Sequence, residues 1–251
     1  MSTVSKTPSA KTAFITGTSR GIGKATVNVF AENGWNIIAH ARKQSQEFEN
    51  GLSELAASCD VTITPAYFDM LDSVVMKECI KELKKNKIVV DALVNNAGIA
   101  HGALFQMTSI SSIKNVFDVN LFAHMELTQL ILKIMAKEGA SIVNVASVAG
   151  IDMRSGNSAY GVSKAALIAW TKVLQMELHG NVRVNAVAPG LTETDMAHIM
   201  EDKLQAITLS RAVISRLANP DEIAKAIYFL SSDEASFITG AVLKVDGGGG
   251  I

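Results

Sequence analysis

Tyr160 and Lys164 stand four residues apart at the start of a helically patterned segment, which puts a phenol and an ammonium on one helix face. With three tyrosines in the chain, a lysine at that spacing is no rarity, so the pair needs context. Ser147 supplies some, because it closes an apolar run that reads as a strand ending where ligands of open α/β sheets bind. Asn120 lies in the long helical pattern before it. A second candidate is the turn Thr16-Gly17-Thr18-Ser19-Arg20-Gly21-Ile22-Gly23, between a first apolar run and a first helical pattern. Glycines there permit a tight turn and close backbone approach to a pyrophosphate, and the following helix offers free N–H groups and a positive dipole end. The spacing is G-x-x-x-G-x-G rather than the more familiar G-x-G-x-x-G.

The end of the second strand bears on which nucleotide such a turn would hold. A carboxylate about twenty residues past the glycines would bind the ribose hydroxyls of NAD. Here the stretch reads His40-Ala41-Arg42-Lys43, with no acid. Arg20 and Arg42 instead offer planar forks to a phosphate, so the expected cofactor is NADP(H).

The elements that must position these groups alternate along the chain. Strands are expected at 13–16, 35–40, 61–67, 92–94, 141–145, 182–187 and 242–245. Helices are expected at 22–33, 46–58, 73–85, 111–137, 158–178, 195–209 and 221–230. Apolar strands separated by helices indicate a parallel sheet covered on both faces. A doubly wound open sheet and an eightfold barrel both fit; about seven strands and a glycine turn directly after the first favour the open sheet. The expectation is one α/β domain of Rossmann type over 11–251, after a short leader at 1–10. The whole chain has 251 residues, 48% of them hydrophobic, a net charge of -1 and two cysteines. Mean hydropathy is +0.24. That balance excludes a disulfide scaffold and a disordered segment, and gives no bulk attraction to nucleic acid. No run of apolar residues is long enough for a membrane span, and a cytoplasmic setting is the default.

Taken together, these motifs resemble the short-chain dehydrogenase/reductase family. The resemblance runs from about Lys11 to Gly248. It comprises the glycine turn, Asn95-Asn96-Ala97-Gly98, Ser147, Tyr160 with Lys164, Pro189-Gly190, and Asp246-Gly247-Gly248. It implies a catalytic set of Asn120, Ser147, Tyr160 and Lys164. Tyr160 would give a proton to a carbonyl oxygen or take one back, Ser147 would hydrogen-bond the same oxygen, and Lys164 would bind the nicotinamide ribose. Lys164 and oxidised nicotinamide would pull the phenol below its free pKa of about 10. Asn120 would hold a water linking Lys164 to solvent. For the cofactor, the resemblance implies Gly17, Ser19, Arg20, Gly21, Ile22, Gly23 and Arg42 on the phosphates, and Asp69 with Met70 at the adenine. Asn95, Ala97 and Gly98 would line the adenosine and ribose, Pro189 and Gly190 would shape the nicotinamide pocket, and Thr192 and Thr194 would stand near the carboxamide and phosphates. For Asp69, a helix-capping role is equally open.

Within the family, 156–160, 189–196 and 216–223 resemble 3-oxoacyl-acyl-carrier-protein reductases most. That suggests a 3-oxoacyl thioester or another small ketone as substrate; oxidation of a sugar, polyol or other secondary alcohol is the alternative. Among the exposed turns of the two long helices only Lys137 is basic, so docking of an acidic acyl carrier protein is weakly supported. A lid over 191–217, with Met196, His198, Ile199, Met200 and Leu204, would close on the substrate; ordinary core packing of these side chains is equally open. His101, Met153 and Arg154 could face it as well. In the family the apolar faces of helices at 123–137 and 165–178 pair subunits, so the resemblance implies a homotetramer.

Overall fold

A computed structural model describes residues 10–195 and 209–249. Seven parallel strands form one sheet in the order β3-β2-β1-β4-β5-β6-β7. They are β1 (Thr12–Ile15), β2 (Asn36–Ala41), β3 (Ile63–Tyr67), β4 (Ala92–Asn95), β5 (Ala140–Val145), β6 (Val182–Pro189) and β7 (Val242–Val245). The strand order reverses between β1 and β4, where a crevice opens at the carboxyl edge. This is the doubly wound α/β architecture expected. β3 begins at Ile63 rather than Val61 and carries Pro65, which an edge strand tolerates because one side of it needs no ladder donor.

The helices are α1 (Gly21–Glu32), α2 (Gln46–Cys59), α3 (Ser73–Lys85), α4 (Ile110–Phe117), α5 (Ala123–Ile131), α6 (Tyr160–Glu177) and α7 (Pro220–Ser231). Strand side chains alternate between the two faces of the sheet. Phe14 and Leu93 join Met76 and Ile80 of α3 and Leu127 and Ile131 of α5 in one core. Ile15 and Val94 join Phe30 of α1, Leu52 of α2 and Ile227 of α7 in the other. Local signals fix several helix starts. Ser45 accepts from the Phe48 N–H ahead of α2, Asp72 accepts from Val74 and Val75 ahead of α3, and Asn219 and Glu222 form a capping box around Pro220.

The long helix expected over 111–137 is not continuous. A five-residue π-helical turn, Asp118–Phe122, separates α4 from α5, and Ala123 N–H bonds to Asp118 O across it. α5 then stops at Ile131, because Val90 ahead of β4 draws the following residues into strand-like pairing. Val90 N–H donates to Ile134 O, and Ala136 N–H donates to Val90 O. The leader, apart from Ala10, and most of the expected 195–209 helix lie outside the described residues, as do Met196, His198, Ile199, Met200 and Leu204. No described helix is long and apolar enough to cross a membrane.

Candidate active site

The crevice at the β1/β4 switch point is floored by the glycine turn. Arg20 is the N-cap of α1, its side chain makes no cap hydrogen bond, and the first turn of the helix carries no acid. Gly23 permits the tight approach of helix to turn, since a Cβ there would lie 2.0 Å from Gly17 O and 2.6 Å from Asn96 Nδ2. Asn96 fixes this geometry: its amide donates to Thr16 O (2.8 Å) and Gly17 O (3.1 Å). Thr16 Oγ1 in turn accepts from the N–H groups of Asn96 and Ala97. On the far wall, the Thr194 methyl would lie 3.1 Å from a Cβ on Gly21, so Thr194 faces the turn. Uncapped helix N–H groups, a turn with no room for side chains and a switch-point position fit a dinucleotide pyrophosphate.

The chemical groups sit further along the carboxyl edge. Ser147 follows β5 in extended backbone and caps a short 3-10 turn, its Oγ accepting from Ala149 N–H (3.1 Å). That turn lies directly on α6: a Cβ on Gly150 would stand 2.7 Å from the Lys164 carbonyl carbon and from Ala165 N. The close approach brings the Ser147 hydroxyl near enough to the Tyr160 phenol to act on its proton affinity. Lys164 is buried, donates to Val145 O (2.8 Å), and places its Nζ 5.9 Å from the Tyr160 ring centroid. Burial lowers its pKa to about 8. The phenol departs from expectation. Burial pushes its pKa up, the nearby Ser147 hydroxyl only opposes this, and the ammonium faces the ring.

Asn120 is carried by the π-helical turn and fully buried. Its Oδ1 accepts from Ile99 N–H (2.9 Å), and its Nδ2 donates to Ile99 O (3.0 Å) and Ser163 Oγ (3.1 Å). It therefore ties the loop after β4 to α6. A Cβ on Gly98 would stand 3.2 Å from Asn120 Oδ1 and 3.5 Å from Lys164 Nζ, so one small space is bounded by both groups.

Several expected cofactor contacts are placed differently. The Asn95 side chain turns into the core, where its amide donates to Asn144 Oδ1 (2.8 Å) and Thr128 Oγ1 (3.2 Å). Met70 is buried and belongs to the core that also holds Phe14, Phe68 and Met76. Asp69 is exposed and accepts from Leu71 N–H (2.9 Å), while the cap of α3 is Asp72. The Thr192 hydroxyl donates to Gly190 O (3.1 Å) and its carbonyl accepts from Thr194 Oγ1 (3.3 Å), leaving its backbone N–H for any ligand. Arg20, expected to be free for a phosphate, pairs with Asp195 (2.6 Å); the pair is exposed, worth about 0–1 kcal/mol, and readily exchanged. Ser19 and Arg42 are exposed, Ile22 packs against the core, and Pro189 closes β6 with Gly190 bonded to Val245 O. Ala97 and Gly98 follow β4 at the crevice, with Ala97 N–H held by Thr16.

Two groups in the crevice walls were not singled out from sequence. His40 and His124 are both buried, and desolvation lowers their pKa values to about 4 and about 3. His124 Nε2 lies 2.7 Å from Ala97 O. Nothing in their spacing marks them. Met153, Arg154 and Val162 line a surface groove of about 460 Å³ with Leu104 and Phe105; His101 is half-buried and not part of it.

A family model described as "Enoyl-(Acyl carrier protein) reductase" matches residues 17–249. The chain is 39% identical to 3-oxoacyl-[acyl-carrier-protein] reductase FabG of Thermotoga maritima, over 95% of this chain and 97% of that one. The chain belongs to the short-chain dehydrogenase/reductase family. It is likewise 35% identical to a 3alpha-hydroxysteroid dehydrogenase of Mediterraneibacter gnavus, covering 94% and 96% of the two chains. Among solved structures, a dehydrogenase/reductase from Sinorhizobium meliloti 1021 superposes with TM-score 0.88 at 30% identity, covering 95% and 94%. A short-chain dehydrogenase/reductase of Serratia marcescens gives 0.87 at 25%, covering 95% and 97%. The protein is thus an oxidoreductase of this family, whose members act on CH–OH groups with a nicotinamide cofactor.

Proposed function

We propose that the protein reduces a ketone to a secondary alcohol with NADPH, and that a 3-oxoacyl thioester is the best-supported substrate class. The observation that carries this is the convergence of Ser147, Tyr160 and buried Lys164 at the carboxyl edge, where the turn after Ser147 packs directly on α6 and Lys164 Nζ stands over the Tyr160 ring. A bound dinucleotide would supply the hydride that goes to the carbonyl carbon. Ser147 donates a hydrogen bond to the carbonyl oxygen and orients it. Tyr160 passes its phenolic proton to that oxygen, which completes the alcohol and leaves a phenolate. With its pKa pushed above the usual value of about 10, the phenol keeps its proton at neutral pH and is in the state that donates. Lys164, still largely ammonium at pH 7 and standing over the ring, stabilises the phenolate. The space shared by Asn120 Oδ1 and Lys164 Nζ would hold the water through which the proton is replaced. General acid catalysis of this kind contributes about 10²–10⁴-fold.

Arg42 just past β2 and Arg20 in the turn would hold the 2′-phosphate, with Arg20 exchanging Asp195 for it. Asn96, Ala97, Gly98, Thr194 and Lys164 would flank the nucleotide. The names of the reductase relatives support a 3-oxoacyl group. Docking of an acyl carrier protein has less support, because Lys137 lies beyond α5 beside Val90 and Met135, at the amino edge of the sheet and away from Ser147. Exposed Phe122, Val162, Val173 and Met176 on the π turn and α6 support self-association, with a homotetramer as the expected state.

The test is NADPH and NADH oxidation with acetoacetyl and crotonyl thioesters, a diketone and a keto-sugar, together with alcohol oxidation by NADP+ at high pH. Faster turnover of acetoacetyl thioester with NADPH is expected, lost in Tyr160→Phe while dinucleotide binding persists. Preference for NADH, for the enoyl substrate, or for sugar oxidation would overturn the corresponding part.

A further inference from the structure

We propose that His40 is a positioning residue for the dinucleotide: its neutral imidazole fixes the Gly17 peptide, and with it the shape of the phosphate-binding turn. The inference rests on the dinucleotide reading above. β2 delivers His40 to the carboxyl edge beside the turn, and His40 O accepts from Thr18 N–H (2.9 Å) and Thr18 Oγ1 (3.0 Å). Its ring Nδ1 lies 3.2 Å from Gly17 N. One residue thus binds both Gly17 and Thr18 of the turn, through backbone and side chain together. On the other side, Nε2 lies 2.9 Å from Phe68 O, and the ring tilts 37° over Phe68 with centroids 4.1 Å apart.

These partners decide the tautomer by their chemistry. A peptide carbonyl only accepts and a peptide N–H only donates, so Nε2 carries the hydrogen and Nδ1 presents its lone pair to Gly17. A doubly protonated ring would set one N–H against another. Burial keeps the ring neutral, while Phe68 O and Asp69 pull the other way. Among the described residues Gly17 N–H has no other acceptor. Packing does not explain the ring: its strand neighbours Ile37, Ile38, Ala39 and Ala41 are buried and apolar, and an apolar residue would continue that run. Gly17 itself sits at φ +69°, a conformation with many competitors in a free glycine, so an anchor there preorganises the turn for its ligand.

The experiment is calorimetric titration of wild type, His40→Asn and His40→Gln with NADP+, with folding checked by circular dichroism. Asparagine puts an acceptor where Nδ1 stood; glutamine reaches toward Phe68 O and leaves Gly17 N–H without one. Near-wild-type affinity is expected for His40→Asn, and roughly a tenfold to hundredfold loss for His40→Gln, as when a buried donor loses its acceptor. Equal affinity in both variants, whether retained or weakened, overturns the proposal. Should neither variant fold, ¹⁵N-imidazole spectra of the wild type decide: hydrogen on Nε2 at pH 7 supports the assignment, and hydrogen on Nδ1 refutes it. Wild type that binds neither NADP+ nor NAD+ refutes the dinucleotide reading itself; wild type that binds while His40→Gln loses nothing refutes the role of His40 alone.

Discussion

Acid should unfold this protein earlier than its carboxylates alone would dictate. His40 and His124 are held neutral in the fold, with pKa values of about 4 and about 3, against about 6.5 in an unfolded chain. Because the folded values are depressed, the unfolded state takes up protons first. The stability these rings leave intact above pH 6.5 is therefore lost as pH falls toward the folded values. At pH 5 both imidazoles are protonated when unfolded and neutral when folded, so each costs about 2 kcal/mol relative to neutral pH. The pair together removes about 4 kcal/mol, a large share of the roughly 5–15 kcal/mol that a domain possesses. The figure depends little on the exact folded values, since pH 5 lies above both. The assay is urea unfolding followed by far-ultraviolet circular dichroism at pH 7, 6 and 5, at one protein concentration. The comparison is with His40→Asn/His124→Gln, which keeps an acceptor for Gly17 and a donor for Ala97 O but cannot titrate. Wild type should lose about 4 kcal/mol more than the double variant between pH 7 and pH 5. Equal losses, within about 1 kcal/mol, would show that the rings are protonated in the fold and refute the reasoning.

Other perturbations test separate links. Gly23→Ala would drive a methyl to 2.0 Å from Gly17 O, so dinucleotide binding measured by calorimetry should be lost even where the protein folds. Arg183 is buried and donates to Leu230 O (2.8 Å), Ser232 O (2.9 Å) and Ser231 O (3.3 Å) at the end of α7. Arg183→Met strands Leu230 O and Ser232 O, while Ser231 O keeps its bond from Ser141 Oγ, and should cost about 2–4 kcal/mol, read as a lower urea midpoint. The Lys164 ammonium deprotonates as pH rises through about 8, so NADP+ affinity should fall across that range in wild type and stay level in Lys164→Met.

Strand and helix order is legible in the sequence because apolar β-branched runs and glycine turns are local signals. The convergence of Ser147 with Tyr160 follows from placing one at a strand end and the other at the next helix start. Orientation is harder. Asn95 and Asn96 are neighbours at the end of β4, and the alternation of the strand sends one into the core and the other to the turn; the pair of letters is the same either way. Met70 beside Asp69 met the same difficulty. The partner of Arg20 is 175 positions away, beyond any local pattern. The rise of the Tyr160 pKa depends on how closely α6 lies on the 3-10 turn after Ser147, which only packing determines. The break in the long helix escapes notice because apolar residues recur on both sides of it.

That break also says something about how the chain tolerates insertion and deletion. Five residues occupy the wide turn where an α-helix would use about four, so Asp118–Phe122 behaves like a segment with one residue to spare. Excising one residue there would let the ribbon close into an uninterrupted spiral. Leu127 and Ile131 could keep their phase in the core. Asn120, however, would be withdrawn from Ile99 and Ser163. The irregularity is tolerated by the scaffold and needed by the crevice, and a shortened chain should keep its shape while the loop after β4 comes adrift.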